Sequence, residues 1–545
     1  MTRSFNPTVV TLSILATTTS ALCPLPGSLL PAPSLNSVPS NFSIPDSVFN
    51  SLPFRANTSF AIQASIGNTT IFQYEHSSPG REVPQSLHKT KSRVGSVTKM
   101  LTALALLLSG DKISLEDSIT KFIPGLKEEL YQHVTIGALA DHSAGLGRFG
   151  YVGDLSLIGF NVSTLGLPTV NNTLPGCDSV PGGSACTDAE VLAMFNHPSY
   201  APHSPNSGPM YSNIGYNLLG MALEAVHGKS YEEVIHDLIL KPLEMTQSTF
   251  ITPPDNGSAI LPRLPSDAGW FTADYANFNP TGGLWSTPDE MLRLLQALLD
   301  HQLLDKVATR KWLQPRALLP SLQQLVGISW EIVRPTDLSV NFPRPIDIYT
   351  KAGGVNGYAA YAVIIPEYDI ALTIHAAGDR PPSAALELLG LVTKPLVAYA
   401  DQLARSQAAA KYAGTYRLAA GNSTGTVTLT ANDGPGIAIT NMTINNVPVL
   451  KSFAAMEGVA LENLSARLYP TDPDSLGTTK ESWRMLLDQK TTNRGFAELN
   501  CAGWIMGDPY RYVREPLDTF VFHMQAGRAV SLELLGWLVK LDRVA

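Results

Sequence analysis

An almost wholly apolar run at residues 94–110 stands out from the mixed pattern of the N-terminal third of the chain. Its apolar character on every side predicts a fully buried helix. Ser96 and Lys99 lie three positions apart at its start, a spacing that places two side chains on one helix face. The pattern therefore predicts a buried helix whose first turn presents a hydroxyl and an amine.

Alternating positions around a Gly67-Asn68 turn predict a strand hairpin. The two strands of this hairpin are 58–65 and 70–74. The pattern predicts four more strands, at 327–333, 346–351, 358–365 and 370–375. Helical periodicity predicts helices at 188–195, 215–226, 231–240, 288–300 and 382–403, with 123–146 mostly helical. Strands at both ends and helices between them indicate one sheet flanked by a helical subdomain.

Two other stretches lack the long helical or strand patterns of this segment. After residue 408, short β-like runs separated by turns predict a small, separate β domain, a barrel or a sandwich. Those runs are 412–416, 426–430, 437–444 and 461–468. Residues 148–186 form a long segment punctuated by glycine and proline, which either covers a substrate pocket or is a surface insertion.

Composition narrows the class of protein. The chain has 545 residues, of which 44% are hydrophobic and 15% charged, as expected for a folded globular protein. A net charge of −8 argues against a nucleic-acid partner or an anionic membrane surface.

The N-terminus is typical of a secretory signal. A positive charge at Arg3 precedes an apolar core at 9–16, and Thr19-Ser20-Ala21 offers small residues for cleavage. The core is shorter than the roughly 20 residues that cross a membrane. We therefore expect a signal peptide at 1–21, a secreted product without a membrane span, and an extended arm at 22–53 that is rich in Pro, Ser and Asn.

Four cysteines allow three pairings. Cys177 and Cys186 bracket a Pro/Gly-rich turn, which favours a local bridge and leaves Cys23 to pair with Cys501. None has zinc-site spacing, and no metal or cofactor is expected. Glycosylation sequons behind a signal predict a secreted glycoprotein. They occur at Asn41, Asn57, Asn68, Asn161, Asn171, Asn256, Asn422, Asn441 and Asn463.

Two further polar clusters accompany the Ser96 helix. Tyr211 and Asn213 lie two apart just before a predicted helix, and Lys351 lies on a predicted strand that runs into Gly353-Gly354. Glycines there allow a backbone to approach a ligand closely.

In order and approximate spacing, Ser96-x-x-Lys99, Tyr211-x-Asn213 and Lys351-x-Gly353 resemble the serine β-lactamase and penicillin-binding-protein superfamily. The strongest resemblance is to class C β-lactamases and related esterases and D,D-peptidases. It covers about residues 54–403, with further marks at 135–146, 242–245 and 279–287. The resemblance implies an α+β fold at 54–405, with an antiparallel sheet flanked by helices and a helical subdomain. A β-rich C-terminal domain would follow at 410–545.

The resemblance also implies a mechanism. Ser96 attacks a carbonyl to form an acyl-enzyme, with Lys99 or Tyr211 as the general base, a choice that the residues leave open. Asn213 holds the acyl side chain or Lys99. The oxyanion hole consists of the backbone N–H groups of Ser96 and Gly354. Lys351 completes the catalytic set, and Gly353 binds substrate.

One position departs from the family pattern. Ala352 replaces the threonine of Lys-Thr-Gly, which removes a hydroxyl donor to a substrate carboxylate. We therefore expect an ester or amide hydrolase that acts on a small-molecule or peptide acyl substrate, with weak or no β-lactam turnover. An acyltransferase of the same fold and a non-catalytic binding relative are the alternatives, and the complete set of site residues argues against the latter.

Several tempting features have simpler interpretations. Gly421 to Gly425 matches the G-x-S-x-G elbow of α/β-hydrolases, yet a strand-like run follows where that motif needs a helix. His142 is expected to be a structural hydrogen-bonding residue near the site, and His203 a surface loop residue. Trp285 and Trp330 are expected in the core or the pocket wall.

Overall fold

The computed structural model describes residues 23–35, 41–80, 83–157, 159–170, 174–177, 184–254, 257–262, 264, 267–339, 342–418, 423–489 and 502–544. The chain divides into two compact units: Ala32–Leu403, and Ala404–Ala545 together with Met1–Pro31. The predicted signal peptide at 1–21 lies outside the described residues. The predicted arm at 22–53 is divided at Pro31 and contains a short helix, Asp46–Asn50.

An eight-stranded antiparallel sheet forms the centre of the larger unit, in the order β2-β1-β10-β9-β8-β7-β6-β5. Two short strands, β3 and β4, pair separately. The bounds are β1 Thr58–Ile66, β2 Thr69–His76, β3 Ser92–Arg93, β4 Trp285–Ser286, β5 Ala317–Leu318, β6 Gln324–Val326, β7 Glu331–Val333, β8 Ile348–Val355, β9 Tyr358–Ile365 and β10 Ile370–Gly378. The prediction of a sheet built from both ends of this segment is confirmed.

Both faces of the sheet are covered. Along β9, Val363 and Ile365 pack into one apolar cluster, while Ala362 and Ile364 pack into another on the opposite face. This alternation is the ordinary consequence of the two-residue period of a strand.

Thirteen α-helices are described. They are α1 Asp46–Asn50, α2 Thr98–Leu108, α3 Glu128–Tyr131, α4 Ile136–Ala140, α5 Asp188–Phe195, α6 Ile214–His227, α7 Tyr231–Ile235, α8 Ala268–Thr272, α9 Asn279–Gly282, α10 Pro288–Leu299, α11 Lys306–Trp312, α12 Pro381–Tyr412 and α13 Val449–Met456. The predicted 231–240 helix ends in a π turn, His236–Leu240. The expectation that 123–146 is mostly helical is wrong, because only α3 and α4 form there.

The long helix α12 is apolar and long enough, by composition, to cross a membrane. Leu388, Val392 and Leu396 are nevertheless completely buried and belong to the same cluster as the sheet residues Val363 and Ile365. These contacts are those of a core helix in a folded domain. The helix also continues nine residues beyond the predicted end at 403.

The smaller unit contains an antiparallel β-barrel. The strands of this unit are β11 Gly414–Leu418, β12 Gly425–Thr430, β13 Ile437–Ile444, β14 Val447–Pro448, β15 Leu464–Tyr469, β16 Lys480–Gln489, β17 Arg511–Tyr512, β18 Glu515–Pro516, β19 Thr519–Gln525, β20 Arg528–Leu534 and β21 Val539–Arg543. The barrel follows the order β12-β11-β21-β20-β19-β16-β15-β13-β14, and a β12–β13 pairing closes the ring, while β17 and β18 pair separately. The prediction of a β-rich C-terminal domain is confirmed, and a strand follows Gly425 where a nucleophile elbow would need a helix.

The Cys177–Cys186 disulfide is present. Cys501, the predicted partner of Cys23, lies outside the described residues, as do the sequons at Asn171, Asn256 and Asn422. Asn57 is half-buried, and the other sequon asparagines are exposed: Asn41, Asn68, Asn161, Asn441 and Asn463.

A close backbone contact connects the sheet with the start of α2. A 3₁₀ turn, Gly95–Val97, precedes this helix, and Gly95 adopts a φ of +53°. A Cβ atom on Gly353 of β8 would lie 1.9 Å from the carbonyl oxygen of Val94 and 3.0 Å from the amide nitrogen of Ser96. The strand approaches the Ser96 turn this closely only because position 353 has no side chain.

Substituting Gly353→Ala is expected to lower the free energy of unfolding by about 3 kcal/mol, since the added methyl group overlaps backbone atoms. Gly354→Ala is the matched control, because its Cβ meets nothing nearer than Pro382 Cγ at 3.3 Å. Urea unfolding of both variants measures the difference. Equal stability of the two would contradict the close approach.

Candidate active site

The ammonium group of Lys99 lies at the centre of the site. Its side chain is completely buried. Its Nζ donates to Ser96 Oγ at 3.0 Å, to Asn213 Oδ1 at 2.7 Å and to the Thr281 carbonyl at 2.8 Å. An ammonium has three N–H donors, so each is used here. The predicted proximity of Ser96, Lys99 and Asn213 is therefore present in the structure, and Asn213 contacts the amine.

The Tyr211 phenol is flanked by two amines. Lys99 Nζ lies 5.2 Å and Lys351 Nζ 5.3 Å from the centre of its ring. Burial alone would raise the pKa of Tyr211, but Lys351, Lys99 and a hydrogen bond from Ser96 together lower it to about 8. This tyrosine is therefore far more acidic than an exposed one.

Lys351 is paired with a carboxylate that the sequence analysis did not identify. Its Nζ donates to Glu331 Oε1 at 2.6 Å and to the Ala352 carbonyl at 2.8 Å. Burial alone would lower the pKa of Lys351, but Glu331 and Tyr211 raise it overall. Lys351 is therefore a permanent cation beside the phenol.

Lys99 and Tyr211 form a proton-sharing pair. Burial, with the charge of Lys351 adding to it, lowers the pKa of Lys99 to about 8, the value that Tyr211 also reaches. If Lys99 is neutral, two N–H groups serve Asn213 and Thr281, and its lone pair faces the Ser96 hydroxyl. If Lys99 is charged, Ser96 donates to the Tyr211 oxygen. Either arrangement delivers one base to Ser96, and the two differ only in proton position.

The predicted oxyanion donors lie next to each other. Gly354 is exposed and lines the same cavity as Ser96. A Cβ on Gly95, the residue before the serine, would lie 2.7 Å from Gly354 N. Gly353, predicted to bind substrate, is buried against the Ser96 turn, and its backbone lines the cavity.

His142 packs against the ring of Tyr211. Its ring lies 4.4 Å from the tyrosine ring, and its Nδ1 accepts from the Ser212 amide at 3.2 Å. Burial, reinforced by Lys99 and Lys351, lowers the pKa of His142 far below its usual value. It is a neutral structural residue, as expected, while His203 is exposed and Trp285 and Trp330 are fully buried.

A cavity of about 1180 Å³ opens onto Ser96. Pockets that bind small molecules have volumes from about 300 Å³ upwards, so this cavity is large enough for a substrate. Part of the long segment at 148–186 borders it, so that segment contributes to the pocket wall. Its lining residues there are Arg148, Phe149, Val152, Ser184 and Ala185.

A buried arginine fixes another part of the cavity wall. Arg93 is 1% exposed, and its guanidinium donates to the carbonyls of Trp270 and Phe271 at 2.8 and 3.2 Å. It also lies 4.3 Å from the centre of the Tyr275 ring. Because Trp270 and Tyr275 line the cavity, Arg93 fixes the shape of this wall.

Within the described ranges, the side chains grouped tightly enough to hold a metal ion are Cys177, Cys186 and Glu190. Both sulfurs are already committed to the disulfide. Among the residues that the structure describes, no such group lies at Ser96.

The sequence profile of the Beta-lactamase family matches residues 61–393, which include every residue of the site described above. The chain belongs to this family. A second profile, for the C-terminal domain of beta-lactamase-like proteins, matches residues 404–545.

Among similar proteins of this family, a "Beta-lactamase-like protein" of Arthroderma benhamiae is 28% identical over 88% of this chain and 87% of its own length. A "Probable hydrolase clz13" of Cochliobolus lunatus is 28% identical over 92% and 87%. The D-amino acid amidase of Ochrobactrum anthropi SV3, in a structure with L-phenylalanine, is 20% identical with a TM-score of 0.49 and covers 66% of this chain and 96% of its own. The Arthroderma benhamiae and Cochliobolus lunatus relatives thus extend over both domains.

Sequence reasoning missed Glu331, Arg93 and the Thr281 carbonyl. Glu331 reaches Lys351 across the β7–β8 pair, in which Glu331 lies opposite Thr350. Thr281 was within a stretch noted for its resemblance, but its contribution is a backbone oxygen, which side-chain identity does not reveal.

The rate at which a fluorophosphonate modifies Ser96 is expected to rise about tenfold per pH unit up to about pH 8 and then level off. Loss of one proton from the Lys99–Tyr211 pair, whose pKa values are about 8, generates the base. Glu331→Gln should shift the rise to lower pH, because Glu331 raises both pKa values. Stopped-flow labelling measures this, and a rate independent of pH between about 6 and 9 would contradict it.

Proposed function

We propose that this protein is a serine hydrolase that cleaves an ester or amide through an acyl-enzyme on Ser96. The observation that carries the proposal is the contact of Ser96 Oγ with Lys99 Nζ at 3.0 Å, beside a tyrosine of lowered pKa. A serine hydroxyl needs such a base to become a nucleophile at neutral pH.

In the proposed reaction, Ser96 Oγ bonds to the substrate carbonyl carbon while its proton moves to the Lys99–Tyr211 pair. The carbonyl oxygen becomes negative and accepts hydrogen bonds from the amides of Ser96 and Gly354. Collapse of this intermediate breaks the bond to the leaving group, which takes the proton from Tyr211. The acyl-enzyme remains on Ser96.

Deacylation runs through the same groups in the same roles. A water molecule gives its proton to the pair and bonds to the acyl carbon, and Ser96 leaves with that proton restored. Lys351 keeps the pair at a pKa suited to both steps, since its charge favours the phenolate. An alcohol entering in place of water would give acyl transfer instead.

The lack of a hydroxyl at Ala352 supports a preference for substrates other than β-lactams. Short-chain p-nitrophenyl esters should be hydrolysed, with nitrocefin turned over weakly or not at all. Robust nitrocefin hydrolysis with inert esters would reverse this assignment. Adding an acceptor alcohol to the ester assay separates hydrolysis from acyl transfer.

A fluorophosphonate probe should label the wild-type protein, and Ser96→Ala should abolish labelling. Ser109→Ala is the matched control, because Ser109 and Lys112 have the same spacing but Ser109 bonds the Ala105 carbonyl at 2.7 Å. Intact-mass spectrometry counts the adducts. Equal labelling of Ser96→Ala and wild type would exclude the proposed nucleophile.

We also propose that the protein is secreted, cleaved near Leu22 and glycosylated. The N-terminal pattern, the exposed sequons and the Cys177–Cys186 bridge support this. When a yeast host expresses the full chain, the medium should contain a protein whose N-terminus is near Leu22 and whose mass falls on N-glycosidase treatment. Retention inside the cells with Met1 intact would contradict the proposal.

A further inference from the structure

Sheet register brings a carboxylate into the catalytic cavity. Glu331 is the first residue of β7 and lies opposite Thr350 of β8, whose hydroxyl donates to the Glu331 carbonyl at 2.8 Å. Its side chain is 40% exposed and lines the cavity that contains Ser96. Glu331 is therefore held by the strand pair, with its charge turned toward the substrate space.

Both carboxylate oxygens of Glu331 are engaged by β8. Oε1 accepts from Lys351 Nζ at 2.6 Å, and Oε2 accepts from the Ala352 amide at 3.2 Å. Lys351 directs a second donor to the Ala352 carbonyl at 2.8 Å, and its Nζ lies 5.3 Å from the centre of the Tyr211 ring. Two of the three donors of this ammonium are therefore taken by β7 and β8, and the residue is only 1% exposed, which leaves it little access to a substrate.

The sequence resemblance identified this part of β8 as the place where related enzymes hold a substrate carboxylate. Here the threonine hydroxyl is missing at Ala352, and Glu331 takes the lysine and the neighbouring amide. A second carboxylate entering beside it would meet a like charge, and the Ala352 amide and two Lys351 donors would already be taken.

We propose that Glu331 is a specificity-determining residue: a resident carboxylate that excludes acyl donors with a carboxylate on the leaving group and restricts the enzyme to neutral or cationic ones. This rests on the proposed function and specifies its substrate class. The proposal also explains why this chain has the lysine of the family motif at 351 but no hydroxyl at 352. Lys351 is needed for its effect on Tyr211, whereas a hydroxyl for a substrate carboxylate is not needed.

The test compares two acetate esters of equal size, with meta-carbamoylphenyl and meta-carboxyphenyl leaving groups. Wild-type kcat/KM should favour the neutral ester by about tenfold or more, and Glu331→Gln should lower that ratio by at least about tenfold. Changes in the Lys99–Tyr211 pair act on both esters and cancel in the ratio. Preference of the wild type for the anionic ester, or an unchanged ratio in Glu331→Gln, would overturn the proposal.

Asp274→Asn is the matched control, since Asp274 lines the same cavity and its Oδ1 accepts from the Ala276 amide at 3.0 Å, whereas the carboxylate paired with Lys351 is that of Glu331. It removes one negative charge from the cavity and should change the ratio by less than about twofold. A shift equal to that of Glu331→Gln would mean that net cavity charge, not the residue at 331, sets the preference, and would overturn the proposal.

A binding measurement separates this inference from the proposed function. In a Ser96→Ala background, isothermal titration should show that Glu331→Gln strengthens benzoate binding by about tenfold while leaving benzamide binding unchanged. If esters are inert in the wild type, the proposed hydrolase fails, and the benzoate result still decides the role of Glu331. Unchanged benzoate affinity refutes that role.

Discussion

The buried ammonium of Lys99 constrains the rest of the catalytic unit. A charge taken out of water is costly unless its donors are all satisfied. Its acceptors come from three separate parts of the chain: the Ser96 turn, Asn213 before α6, and the Thr281 carbonyl in α9. The helices that carry these groups must therefore pack at one point. This packing offsets the cost of burying the Lys99 charge, and it also places the Lys99 nitrogen beside the serine hydroxyl.

Electrostatic coupling then sets the chemistry. Lys351 cannot act as a base toward the serine, because Glu331 and Tyr211 raise its pKa and keep it protonated. Its contribution is the field at Tyr211, which offsets the effect of burial and lowers the pKa of the phenol. His142 adds no charge, since burial keeps it neutral. The site is thus built around two amines with different roles, one that shares a proton and one that does not.

Glycine determines how closely the sheet can approach this cluster. Position 353 has no room for a methyl group beside Val94 and Ser96. Gly354, the next residue, stays exposed on the cavity side. One strand therefore supplies backbone contact, a cation and a candidate oxyanion donor, while its neighbour β7 supplies the opposing carboxylate. Arg93 stabilises another part of the cavity wall by donating to the Trp270 and Phe271 carbonyls.

The sequence by itself determined those features that depend on local spacing. Ser96 and Lys99 were recognisable because three residues along a helix share a face, and strands such as β1 and β10 because their patterns were strong. Ordered motifs extended this to Tyr211, Asn213 and Lys351. The family was predictable from them, and the match over residues 61–393 confirms it.

Only the tertiary structure decided the contacts between distant segments. Glu331 meets Lys351 because of the register of two strands, and no local pattern encodes register between elements joined by an irregular connection. The Thr281 contribution is a carbonyl oxygen, which every residue possesses. The barrel closes through β12 and β13, whose alternation alone was equally compatible with a sandwich. In each case the deciding quantity is a distance across the fold, and sequence spacing does not contain it.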